Sequence, residues 1–184
     1  MGFFKSLPAD AGPAKVFTTY PEIYRLWSAM SQALMNGPSP LTQAERELIF
    51  AYAAGVAGCK FVYVAHSEVA YAWGIERGVL DRLLENPATA PVEARLKPLL
   101  AFARKLMLTP GEMTQADADA VLAAGWDERA LHDVIAVTAR AAFMQRLVEG
   151  HGFTPMTREY AAEHARRRVD LGYVNLYPAF RQTE

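Results

Sequence analysis

Apolar residues recur at three- and four-residue intervals through nearly the whole chain, and no stretch alternates in the manner of a strand. The spacing predicts helices over about 22–35, 43–57, 59–74 or 77, 78–85, 92–108, 115–124, 128–149 and 157–169. Several starts and stops are legible. Thr42 followed by Glu45 is a capping box, in which each side chain satisfies a backbone N–H of the other's turn. Thr114 and Asp127 read as further N-caps, and Gly58, Gly125 and Gly150 as stops. Pro98 falls inside the 92–108 pattern, so it either kinks that helix or marks its true start. One face of the 22–35 helix gathers Ile23, Leu26, Trp27, Met30 and Leu34. Stripes of that breadth suit a bundle interior or a subunit interface.

The expected fold class is all-α, a helical bundle in one domain over 1–184. Residues 1–21, with Pro8, Pro13 and Pro21, read as an irregular arm, and 42–75 as a central helix pair. The tail, 170–184, is aromatic and irregular. Its apolar groups gain from burial, so it should pack on its own domain or on a neighbouring subunit.

Composition narrows the setting. A net charge of −1 over 184 residues offers nothing to attract nucleic acid or an acidic membrane surface. The basic run Arg166-Arg167-Arg168 reads as a solvated helix face. No charge-free apolar run is long enough to span a bilayer, and no secretory signal stands out. One cysteine cannot form a disulfide within the chain, so a reducing cytoplasmic setting is expected.

That cysteine, Cys59, carries the candidate chemistry together with Glu47 and His66. Cys59 should open a helix after Gly58, where unpaired amides and the helix dipole favour a thiolate and lower the thiol pKa. His66 lies two turns further on, about 10 Å along the axis, so a bridging group must connect the two. Its imidazole is suited to acid/base work near neutral pH. Glu47 lies beyond the capping turn among apolar neighbours; pointing inward it serves proton transfer, and pointing outward it pairs with Arg46 or a residue one turn on. His132, His151 and His164 show no metal-ligand spacing, and no HExxH, phosphate loop or GxSxG elbow occurs. No metal or cofactor is expected. Phe61, Tyr63, Tyr71 and Trp73 form an aromatic stripe that suits packing, or a pocket wall beside Cys59.

The stretch resembles a known family. Glutamate, eleven residues, cysteine, two residues, cysteine, three residues, histidine is the signature of the AhpD-like group in the carboxymuconolactone decarboxylase superfamily, and Glu47, Cys59 and His66 match it. The arm with Phe3-Phe4 and Leu7-Pro8, and the segment Phe143-Met-Gln-Arg-Leu147, are similar to its peroxidase-related subgroup. The resemblance implies an all-α fold assembled as a homo-oligomeric trimer or hexamer. It implies a dithiol that reduces hydroperoxides, with the glutamate and histidine as proton relay. Val62 stands where the attacking thiol belongs, and Cys59 matches the resolving position. A peroxidase cycle here would need Cys59 itself to attack the substrate hydroperoxide, with an external thiol reductant restoring it. The superfamily's decarboxylase branch works without a dithiol and keeps a glutamate and a histidine. Thiol-independent acid/base chemistry on a small organic acid is therefore the alternative, and a non-catalytic helical scaffold a third.

Overall fold

A computed structural model describes residues 2–8 and 10–180. The last part of the tail, 181–184, with Met1 and Ala9, lies outside the described residues. The elements are α1 Pro13–Thr19, α2 Pro21–Asn36, α3 Gln43–Val56, α4 Lys60–Ala72, α5 Val79–Glu85, α6 Leu96–Leu108, α7 Gln115–Ala123, α8 Glu128–Gly150 and α9 Arg158–Leu171, with 3-10 turns after α6 and in the tail. No strand occurs among the described residues.

The fold is built around α3. Every residue from Glu45 to Ala54 is buried, so this helix is covered on all sides. It packs on α4, α6 and α8, and α4 packs in turn on α9. The Thr42–Glu45 capping box forms as expected, contributing about 1 kcal/mol. Arg46 is buried and donates to the carbonyls of Leu34 and Gly37 at 2.7 and 2.9 Å, which ties the end of α2 to the start of α3. With Arg46 turned that way, the next residue, Glu47, faces the interior.

Gly58 adopts a left-handed conformation, φ 74°, that lets the chain reverse between α3 and α4. Cys59 is the N-cap of α4 rather than part of its first turn. Pro98 sits in the third position of α6, so it marks a start and leaves the helix unkinked.

Two expectations about the periphery change. The arm is not wholly irregular: Pro13 opens α1, and Val16 and Phe17 are buried beneath it. A proline at the first helical position has its φ preset and no N–H to satisfy, so the residue read as a breaker is a starter. On α2 the buried positions are Tyr24, Ser28, Ser31 and Met35. The apolar stripe Ile23, Leu26 and Met30 faces outward. The tail does pack on its own domain. Gly172, at φ 65°, brings the backbone against the Gln32 side chain, which accepts the Tyr173 N–H at 2.7 Å. Tyr173, Leu176 and Phe180 are buried.

Candidate active site

Glu47 and His66 meet where α3 crosses α4. His66 Nδ1 lies 2.7 Å from Glu47 Oε2, and both side chains are buried. The Tyr173 hydroxyl donates to the other carboxylate oxygen, Oε1, at 2.6 Å. On the far side of the imidazole, Arg168 Nη1 lies 3.2 Å from His66 Nε2. A guanidinium has donors only, so Nε2 must accept. The proton then belongs on Nδ1, which donates to Glu47. The contacts alone fix the tautomer of a neutral His66.

The electrostatics agree. Burial drives the His66 pKa down to about 4; Glu47 opposes the fall, and Arg168 and Arg140 add to it. Burial alone would raise the Glu47 carboxyl, but His66, Arg168 and the Tyr173 hydroxyl bring it below its ordinary value. At neutral pH the pair is a carboxylate beside a neutral imidazole.

Arg140 completes the cluster from α8. It is 5% exposed, its Nε donates to Ser31 Oγ at 3.0 Å, and its guanidinium lies over Phe50 and Tyr173 at 4.6 Å from each ring centre. Arg168 lies over the same Tyr173 ring at 5.1 Å. Among the described residues Arg140 Nη1 has no hydrogen-bond partner, and neither arginine is within salt-bridge distance of a carboxylate. Glu47 supplies one negative charge to this cluster and the arginines two positive ones.

These groups open onto a cavity of about 580 Å³, a size suited to a small organic molecule. His66, Arg140, Arg168 and Tyr173 line its charged wall, and Phe17, Trp27, Phe61, Val62 and Met144 supply apolar wall. Gly12, Pro13 and Ala14 of the arm and the start of α1 close one side, with exposed Asp10 at the rim. His164 also lines it. Burial and the neighbouring Arg168 and Arg167 lower its pKa, so it is a second neutral imidazole.

Cys59 is not brought into this group. It is 1% exposed, belongs to the apolar core and does not line the cavity. Its pKa is pushed up to about 11, not down. Burial is the main cause and Glu149 adds to it; the Val62 and Phe61 amides at the start of α4 do favour the thiolate, as the helix-terminus argument requires, but they are outweighed. Val62, at the position of the missing thiol, does line the cavity.

Sequence reasoning missed Arg140, Arg168 and Tyr173. Arg168 was read as part of a solvated face, yet it lies seven residues after Ala161 and three after Ala165, the buried stripe of α9. That spacing was the available signal, and it separates Arg168 from exposed Arg166 and Arg167. Arg140 likewise interrupts the buried stripe of α8 beside Val137 and Ala141. Among the described residues no group of three His, Cys, Asp or Glu side chains is arranged to hold a metal ion. No helix among them is long and apolar enough to cross a membrane.

The all-helical arrangement is an AhpD-like fold, and comparison with solved structures bears out the resemblance at the level of the fold. An uncharacterised peroxidase-related protein from Silicibacter sp. TM1040 superposes with a TM-score of 0.70 at 25% identity, over 85% of this chain and 92% of that one. An uncharacterised peroxidase-related protein from Ralstonia eutropha JMP134, described as an alkylhydroperoxidase AhpD core, gives 0.73 at 25% identity, over 82% of this chain and 78% of its own. No protein-family model and no curated protein matches the chain.

Proposed function

We propose that this chain is a thiol-independent acid/base enzyme of the carboxymuconolactone decarboxylase type, acting on a small organic acid. The observation that carries the reading is the split between the acid/base groups of the motif and its sulfur: His66 lines the cavity with buried Glu47 hydrogen-bonded behind it, whereas Cys59 does not line it and its thiol is held protonated. A peroxidase cycle needs a reachable thiolate. Proton transfer needs a lone pair at a cavity wall and a partner for the resulting cation: Glu47 is the partner, and His66 Nε2 supplies the lone pair once the Arg168 contact is released.

In the reaction, His66 Nε2 takes a proton from a carbon beside the substrate carbonyl. The C–H bond breaks, an N–H bond forms, and the electron pair stays on the substrate as an enolate. Glu47 stabilises the imidazolium through the Nδ1 hydrogen bond, and Tyr173 holds the carboxylate in that orientation. The proton returns to the substrate at a different carbon to complete an isomerisation; in a decarboxylation no C–H bond breaks, the C–C bond to CO2 leaves its electron pair on the substrate as the enolate, and a proton taken up from solvent and passed on by His66 completes the product.

The outward stripe of α2 supports homo-oligomeric assembly as part of the same proposal. Ile23, Leu26 and Met30 are 55%, 73% and 46% exposed, and Phe143 beside Trp27 is 41% exposed. A second copy of the chain would cover them.

The test compares wild type, Cys59→Ala and His66→Gln on a panel of carboxylated lactones, and on cumene hydroperoxide with an external thiol. Cys59→Ala should keep lactone turnover within about twofold of wild type, and His66→Gln should lose about a hundredfold or more. Hydroperoxide consumption that disappears in Cys59→Ala would overturn the proposal in favour of thiol chemistry.

A further inference from the structure

In the structure the lone pair that the proposed base needs is already taken. Arg168 Nη1 donates to His66 Nε2 at 3.2 Å, so the imidazole cannot accept a substrate proton while that contact stands. Arg168 is half-buried on the cavity wall. It has no carboxylate within salt-bridge distance among the described residues; it meets the imidazole and the hydroxyl and ring of Tyr173, with the Glu47 charge acting on it from further off. Nearby, Arg140 Nη1 is buried with no partner at all, and the cluster carries one more positive than negative charge. A cationic wall of this kind is stabilised by an anion entering the cavity.

We propose that the pocket takes a monoanionic organic acid whose carboxylate pairs with Arg168 and, in drawing that guanidinium off the imidazole, frees His66 Nε2 to act as base. The proposal rests on His66 being the base and adds the substrate's charge and the role of Arg168, a positioning residue. A charge-assisted arginine–carboxylate pair is stronger than the present contact with a neutral ring nitrogen, so the exchange runs toward the substrate. Before the acid binds, the base is masked; once it is bound, Nε2 is bare and faces the ligand. A neutral molecule of the same shape fills the cavity but leaves Arg168 in place.

Benzoate and benzamide, equal in shape and different in charge, are the probes. Calorimetric titration of the full wild-type chain should show benzoate binding about tenfold or more tightly than benzamide. In 15N-histidine NMR, benzoate should move the His66 Nε2 resonance toward that of an unbonded ring nitrogen, and benzamide should not. Arg168→Met should produce the same resonance without ligand and bring the two affinities together. Equal affinities in wild type, no measurable binding of benzoate, or a bound state with the His66 resonance unmoved each overturns the proposal. The two wild-type measurements decide the matter even where Arg168→Met fails to fold. If His66→Gln abolishes turnover while benzoate leaves Arg168 on the imidazole, the acid/base reading stands and only the unmasking falls.

Discussion

His66 Nδ1 and Glu47 Oε2 are 2.7 Å apart across the crossing of α3 and α4, with both side chains buried and His66 at the cavity wall. Two residues nineteen positions apart are thereby locked into one charge distribution: carboxylate, neutral imidazole, then guanidinium.

Removing the Glu47 charge leaves buried Arg140 and half-buried Arg168 with no negative group among the described residues close to them. Glu47→Gln keeps the shape and should lower the unfolding free energy by about 3 kcal/mol, the scale of breaking a buried ion cluster. Glu76→Gln makes the contrast: its contact with Arg82 is exposed at both ends, and its loss should change stability by less than about 1 kcal/mol. Urea unfolding of both variants checks the pair. Similar small losses would mean that Glu47 is not the counter-charge of the cluster.

Stability should fall on acidification in a defined window. His66 has a pKa of about 4 when folded against an ordinary value of 6.5, so between those values the unfolded chain binds more protons than the native one. The stabilisation is therefore complete above about pH 6.5 and declines as pH falls towards 4, by about 3 kcal/mol at 1.36 kcal/mol per unit. Glu47, whose pKa is also depressed, has its stabilising contribution above its ordinary range and loses it further down the same limb. In His66→Gln the slope between pH 6.5 and 4 should flatten. Cys59 acts at the other end: with its pKa raised from 9.0 to about 11, its contribution is present below pH 9 and lost as pH rises through 11. Chemical denaturation across the pH range measures both limbs.

How much of this was written in the sequence differs by element. The α3 capping box, the α3–α4 break at Gly58 and the caps of α7 and α8 are local signals between near neighbours, and they form as read. That Glu47 and His66 share a family spacing was legible as well, and the structure brings them together. Local reasoning failed where burial decides. The dipole argument for Cys59 identified the right amides but had no access to the desolvation that overrides them. Arg140 comes from α8 and Tyr173 from beyond α9, and only tertiary packing brings them to α3. On α2 the stripe Ile23, Leu26, Trp27, Met30 and Leu34 is split: Trp27 and Leu34 pack against the core while Ile23, Leu26 and Met30 face outward, because periodicity does not say how much of a stripe the neighbouring helices cover.

Thiol labelling should map the site. In native wild type, Cys59 should react slowly with an aromatic disulfide reagent at pH 8, because it is 1% exposed and protonated. Labelling should become fast once the chain is unfolded. Val62→Cys places a sulfur on the cavity wall, one helical turn before His66, and that thiol should label in the native state. Prompt labelling of wild type under native conditions would show a route to Cys59 and would restore it as a candidate nucleophile.

The outward face of α2 makes the last prediction. Leu26 is 73% exposed at the centre of a stripe with Ile23 and Met30, while the same helix buries Ser28 and Ser31 on its inner side. A lone domain gains nothing from that inversion: the serines serve the cavity, with Ser31 holding Arg140, and the large apolar groups are left in water. The arrangement is favourable when another copy covers the stripe, because each of those side chains, about half or more exposed, then recovers about 1–2 kcal/mol. Wild type should therefore scatter light as a trimer or hexamer, and Leu26→Glu should shift the mass toward the monomer while leaving the helical circular dichroism unchanged. A monomeric wild type, or an unaltered assembly in Leu26→Glu, would leave this face without a function in assembly.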